Sequence, residues 1–256
     1  MLKVGLTGGI GSGKSAVSSL YEEWGAFIFD ADAVAKDILN NDSTAQGEII
    51  SEFGTDILDK DGKIAKEKLS RIAFQDEDHQ LRLNTTIHPY VFRKIDSSFD
   101  KILEKGEHDV FCVDAALIYE SGADAHMDYV VVITSHLRLR TERVMKRGGL
   151  TREEFLRRLE LQWSDEDKIN MADYVIHNNG TKKDLMNESK KIFDVGFTQL
   201  ADKPFISFFK MLRVVPNLII LQSFDDIDAK VFAIGDESVK AIGLPASDDL
   251  EISSKI

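Results

Sequence analysis

A glycine-rich turn near the start of the chain, Gly8-Gly9-Ile10-Gly11-Ser12-Gly13-Lys14-Ser15, follows a short apolar run, LKVGL (2–6), and precedes a helix-patterned stretch, SAVSSLYEEWG (15–25). Gly8, Gly13, Lys14 and Ser15 satisfy G-x-x-x-x-G-K-[ST] between a predicted strand and a predicted helix, the context in which backbone amides can turn inward around phosphate oxygens. Lys14 would lie against the outer phosphates, and the Ser15 hydroxyl would be a ligand for Mg²⁺. Such a socket commits the first unit of the chain to β-loop-α. It does not choose among kinases, ATPases and GTP-dependent switches, all of which use it.

Four more apolar runs of strand length follow: AFIFD (26–30), DVFCVD (109–114), DYVVVIT (128–134) and DYVIHN (173–178). Their Val, Ile and Phe content without alternation predicts strands buried on both faces of a parallel sheet, and their separation by helical patterns predicts a doubly wound α/β core. The gap from 31 to about 108 exceeds what one crossover needs. It holds four helical patterns, ADAVAKDILN (31–40), AQGEIISEFG (45–54), AKEKLSRIAF (65–74) and HPYVFRKIDSSFDKILEKG (88–106), the last with Pro89 at a tolerated first-turn position. The expected organisation is a core of 1–30 and 107–200 with a lid at about 138–165, a helical insertion at 31–106 forming a second wall of the cleft, and a C-terminal extension at 205–256. In that extension strands are expected at 213–221 and 229–234, before an acidic tail, PASDDLEISSKI. DKDG (59–62) begins like a calcium loop, but Ile57 and Lys68 stand where acidic ligands belong, so a plain turn is expected.

Charge and cysteine usage narrow the function classes. A net charge of −12 opposes a broad grip on nucleic acid, which needs clustered Lys and Arg, while leaving room for a small anionic ligand where positive charge is local. Cys112 is the sole cysteine, so no internal disulfide framework or Cys-rich metal site is expected, and its neighbours Phe111 and Val113 make it a buried strand residue. The apolar tract 205–221 is interrupted by Lys210, Arg213 and Pro216, and the opening residues are too short and glycine-broken for a signal peptide. A cytoplasmic protein with no membrane partner is the expectation. Oligomeric state is not specified.

A GTP-dependent switch should carry D-x-x-G after the third strand, but Asp114 is followed by Ala115, Ala116 and Leu117. TKKD (181–184) therefore reads as the start of a last helix rather than as a guanine-binding motif. A kinase needs a base and a mobile cationic lid, and both have candidates. Asp30 and Asp32 close the second strand at the carboxyl edge of the sheet, where ligands bind in open α/β folds; one can serve as proton acceptor and one can cap the next helix. Residues 138–158 hold eight Lys and Arg against three Glu, broken by Gly148-Gly149 and restarted by Thr151 with Glu154 three residues on. His88 alone among the histidines has a distinctive setting, TIHPYV, which by itself reads as a helix-start or packing residue.

Taken together, VGLTGGIGSGKS, GAFIFDADAVAKDIL, HPYV, VDAALIYESG, RTERVMKRGGLTREEFLRRLELQ and DKINMADYVIHNNG resemble the dephospho-CoA kinase family in order and approximate spacing, over residues 1 to about 200. The resemblance implies a three-layer P-loop kinase core with a mostly parallel five-stranded sheet, a helical acceptor-binding insertion and a helical lid. It implies ATP with Mg²⁺ as donor and dephospho-CoA as acceptor. By position, Asp32 matches the catalytic base, His88 the acceptor side, Arg143 and Arg147 the lid arginines, and Asn178, Asn179 and Gly180 the segment near the ATP base. Thr7, Gly8, Gly9, Gly11, Ser12, Gly13, Lys14, Ser15 and Ala16 are the expected triphosphate contacts. Four features depart from the family pattern: Ala16 for Thr, Ala116 for Pro, Gly148 for Asp, and the length beyond about 205. Another P-loop small-molecule or nucleotide kinase, and a nucleotide-dependent switch or binding protein, remain as alternatives.

Overall fold

The computed structural model describes residues 1–194 and the strand residues 218–221, 230–235 and 238–241. The chain divides into two units, Met1–Ile206 and Ser207–Ile256. In the first, strand β1 (Leu2–Thr7) leads through the glycine-rich loop into helix α1 (Lys14–Glu23), then β2 (Phe27–Asp30). Four helices follow before the sheet resumes: α2 (Ala31–Asn41), α3 (Ser43–Phe53), α4 (Lys66–Ala73) and α5 (Glu77–Lys105). The remaining elements are β3 (Val110–Asp114), β4 (Tyr129–Thr134), α6 (Leu137–Arg147), α7 (Arg152–Glu160), α8 (Asp165–Met171), β5 (Tyr174–His177) and α9 (Lys182–Ile192).

All five strands are parallel, in the order β2-β3-β1-β4-β5. Period-two alternation sorts their side chains into two cores. Val110 and Cys112 face a cluster with Val17 and Tyr21 of α1 and Leu185 of α9, whereas Phe111 and Val113 face Ile38, Ile49, Leu69 and Ile87 of α2 to α5. The sheet is thus sandwiched between two helical layers, which is why its strands are apolar at nearly every position. Register aligns Asp114 with both Leu6 and Asp30, so the loop after β1 and the carboxylates ending β2 and β3 emerge together at one edge.

One expectation for the helices is corrected. Pro89 does not open a helix; it lies inside α5, a single helix of 29 residues. Leu83, Ile87, Val91 and Ile95 recur every fourth residue and are buried against the α2 to α4 layer, and that packing outweighs the hydrogen bond that proline cannot donate. Thr85 and Pro89 are both exposed, so the carbonyl left without its helical donor lies on the solvent side, where water can satisfy it. DKDG forms the expected turn, with Asp59 Oδ1 accepting from the amides of Asp61 and Lys63. TKKD is the expected helix start: Thr181 and Asp184 form a reciprocal capping box on α9.

In the second unit, β6 (Leu218–Leu221), β7 (Lys230–Gly235) and β8 (Ser238–Ala241) form an antiparallel sheet in chain order. The first two overlap the expected strands; β8 was not anticipated. The acidic tail at 245–256 lies outside the described residues.

Candidate active site

The loop between β1 and α1 ends at Gly13, which caps α1 with φ +106°, and a β-carbon there would collide with the Asn178 amide. Glycine is required both by the left-handed backbone and by that approach. Among the described residues, no acceptor meets the amides of Gly11, Gly13, Lys14 or Ser15, whereas those of Ser12 and Ala16 bond within the loop. Four unpaired N–H groups at a helix N-terminus make the anion socket expected of the motif. Ala16, expected among the triphosphate contacts, donates its amide to Gly13.

Lys14 extends from the first turn of α1 to Asp114 at the end of β3, and its ammonium also lies 3.4 Å from Asp32 Oδ2. Burial works against its charge, but the two carboxylates outweigh it and hold its pKa above the ordinary lysine value. The two aspartates that close β2 have separated in role. Asp30 caps α2, its Oδ1 accepting from the Ala33 amide at 2.8 Å. Asp32, one residue into the helix, is left with 46% of its side chain exposed, against 10% for Asp114.

Two cavities meet at Asp32. One, of about 680 Å³, is lined by the whole of 8–15, by Asp114 and by Arg143, Arg147 and Arg158. The other, of about 370 Å³, lies between the helical insertion and the segment after β3, with an apolar wall of Leu39, Leu83, Ile87 and Phe92 and polar groups including Asn84 and His88. Ile10, Asp32, Lys36, Ala116 and Arg158 belong to both. His88 packs against Phe92 with ring centroids 5.9 Å apart, and burial lowers its pKa despite the opposing charge of Glu120. It is a neutral imidazole near pH 7, able both to donate and to accept a hydrogen bond.

The cationic segment divides by function. Arg143 donates to the carbonyls of Gly11 and Ser12, to Ser135 Oγ and to the Asn178 carbonyl, so it braces the loop. Arg147 is exposed at the cavity wall just before Gly148 and Gly149, at φ +72° and +87°. The expected Thr151–Glu154 capping box opens α7. Arg158, on α7, holds its guanidinium 5.4 Å from the Phe74 ring at the end of α4.

Asn178, Asn179 and Gly180 do not line the larger cavity. Asn178 is buried, its amide donating to the Ser12 carbonyl at 2.7 Å, and Asn179 Oδ1 accepts from the His136 amide. Thr7 also lies behind the loop, its hydroxyl bonded to the Ala116 carbonyl at 3.1 Å. Asp114, Lys36 and Arg158 were not singled out as site residues. Asp114 carried a usable signal, a carboxylate ending a third parallel strand at the ligand-binding edge.

The dephospho-CoA kinase family model matches residues 2–184. The dephospho-CoA kinase of Corynebacterium glutamicum is 38% identical over 192 residues, 75% of this chain and 96% of the relative. The chain belongs to the dephospho-CoA kinase family. The dephospho-CoA kinase of Fusobacterium nucleatum is 39% identical over 73% of this chain and 95% of its own. Among solved structures, TT1252 from Thermus thermophilus superposes with a TM-score of 0.67 at 28% identity, covering 77% of this chain and 98% of its own. The dephospho-CoA kinase from Campylobacter jejuni superposes with a TM-score of 0.56 at 27% identity, with the same coverage. The family model's match ends before the C-terminal unit, which begins at Ser207. Family membership fixes the first unit as a P-loop kinase fold. No helix among the described residues is long and apolar enough to cross a membrane.

Proposed function

We propose that the protein transfers the γ-phosphoryl group of ATP to the ribose 3′-hydroxyl of dephospho-CoA, the last step of coenzyme A synthesis. The observation that carries this reading is Asp32, a carboxylate with access to both cavities and 3.4 Å from the Lys14 ammonium. The triphosphate occupies the cavity around 8–15, with the free loop amides and Lys14 on its oxygens, and the acceptor ribose enters from the cavity of the helical insertion. Asp32 orients the hydroxyl and takes its proton as the phosphoryl group arrives. Arg147 and Arg158, which line the same cavity, supply positive charge there, and His88 hydrogen-bonds the acceptor. Arg143 and Asn178 hold the loop in shape, so that catalysis rests on positioning and electrostatics.

The side chains around Lys14 fit Mg²⁺, since Ser15, Asp32 and Asp114 offer oxygen donors on one cavity wall. Mg²⁺ held there with ATP would neutralise phosphate charge. Residues 31–106 act as the acceptor-binding insertion and about 138–165 as the lid. A cytoplasmic setting belongs to the same reading, in keeping with a single, buried thiol at Cys112.

Asp32→Asn tests the assignment. It keeps size and removes the proton acceptor, so ATP affinity should hold while acceptor-dependent ADP release falls by roughly 10²–10⁴-fold. Near-normal turnover by this variant would remove Asp32 as base.

A further inference from the structure

The proposed chemistry leaves unused the most deeply buried charge described in the molecule. Lys168, on the short helix α8, is 0% exposed, forms an ion pair with Glu120 Oε1 at 2.8 Å and donates to the Ala116 carbonyl at 3.3 Å. The same Glu120 oxygen accepts the Trp163 amide at 3.0 Å, and Glu120 Oε2 is buried without a partner. Three residues earlier on α8, Asp165 Oδ2 accepts from Arg140 at 2.6 Å and from the Thr134 hydroxyl at 3.2 Å. Arg140 is itself buried, and its Nε donates to the Ile10 carbonyl at 2.8 Å. Gln162 Oε1 accepts the Ile10 amide at 3.4 Å.

Residues 162–168 therefore hold the Ile10 amide and the Ala116 carbonyl directly, and the Ile10 carbonyl through Arg140, which Asp165 orients. Those two residues are shared by the two cavities, Ile10 on the phosphate loop and Ala116 on the segment after β3. Burying two ion pairs is a poor route to stability, because desolvation cancels most of the attraction and apolar residues of similar volume do as well. What the charges add is direction: each cation donates to one backbone carbonyl at the junction, Arg140 to Ile10 and Lys168 to Ala116, and the carboxylates of Asp165 and Glu120 hold those cations in place. We propose that Asp165 and Lys168 are positioning residues, a clamp that sets the distance between the donor loop and the acceptor wall across which the phosphoryl group moves. The proposal rests on the phosphoryl-transfer reading above.

The test separates positioning from stability. Lys168→Met alone leaves Glu120 as an unpaired buried carboxylate, so it is made with Glu120→Gln, which removes both charges. Asp165→Asn, at a site where 30% of the side chain is exposed, keeps a hydrogen-bond acceptor for Arg140 and Thr134 and gives a second, milder variant. For each, Tm, ATP affinity by titration, and kcat and KM with dephospho-CoA are measured against wild type. The clamp predicts that Lys168→Met/Glu120→Gln retains the wild-type ATP affinity but loses kcat by about 10²-fold, the cost of an ångström-scale misplacement. Asp165→Asn should lose kcat by about tenfold and lower Tm, because the buried Arg140 loses its charged partner, while the retained hydrogen bonds keep the variant folded at the assay temperature. Wild-type kcat in either folded variant overturns the proposal; absence of dephospho-CoA-dependent turnover in the wild type instead overturns the functional reading beneath it.

Discussion

His88 shows how one side chain links the cavity proposed for the acceptor to stability. Because burial holds its folded pKa below the ordinary histidine value, the unfolded chain binds its proton more readily than the fold does. The contribution of neutral His88 is complete above the unfolded value, is lost as pH falls through the folded one, and is constant below it. His88→Leu, which removes both the titration and the hydrogen bond, should flatten the dependence of Tm on pH in the mildly acidic range and raise the acceptor KM by about tenfold, the equivalent of one hydrogen bond. An unchanged KM would remove it from the acceptor site. The residue scale is also where sequence reasoning was least complete. Asp30 and Asp32 were legible as a pair, but which one caps α2 is decided by the entry of the chain into the helix, with Asp30 extended at φ −78°, ψ 94°. Arg143 and Arg147 looked alike as lid cations; only packing shows that the first is committed to loop carbonyls.

At the scale of elements, the clearest device is the break between α6 and α7. Gly148 and Gly149 adopt left-handed backbone, and nothing lies within 4 Å of where a β-carbon would stand on either. Alanine there meets backbone strain without a clash, at about 1 kcal/mol each, and biases the joint away from its present geometry. If α7 moves as a lid, Gly148→Ala/Gly149→Ala should lower kcat and shift both KM values severalfold, with Tm lowered by several degrees by the strain; unchanged kinetics would argue for a fixed wall. The five parallel strands were legible because burial on both faces leaves uninterrupted apolar runs, and the capping boxes at Thr151 and Thr181 because their spacing is local. Helix α5 was underestimated because proline is a local signal and the buried stripe that overrides it is a tertiary one. Strand β8 escaped because SVKA is short and polar, and its only cue is its spacing of two residues from β7.

Over the whole molecule, two cores on opposite faces of one sheet do different work. The face with α1 and α9 anchors the phosphate loop, and the face with α2 to α5 builds the wall of the second cavity. A chain of net charge −12 still gathers Lys14, Arg147 and Arg158 around one cavity, concentrating positive charge where an anion would sit. The family could be read from sequence because its motifs each occupy a strand end or helix start. The junction of the cavities could not, since Ile10, Asp32, Ala116 and Arg158 converge only in three dimensions. The most direct measurement is ADP release from ATP with dephospho-CoA, AMP, UMP or pantothenate as acceptor, with the nucleotide product identified. The account predicts turnover with dephospho-CoA alone and coenzyme A as the product; stimulation by another acceptor in its place, or a preference for GTP with no acceptor dependence, would contradict it.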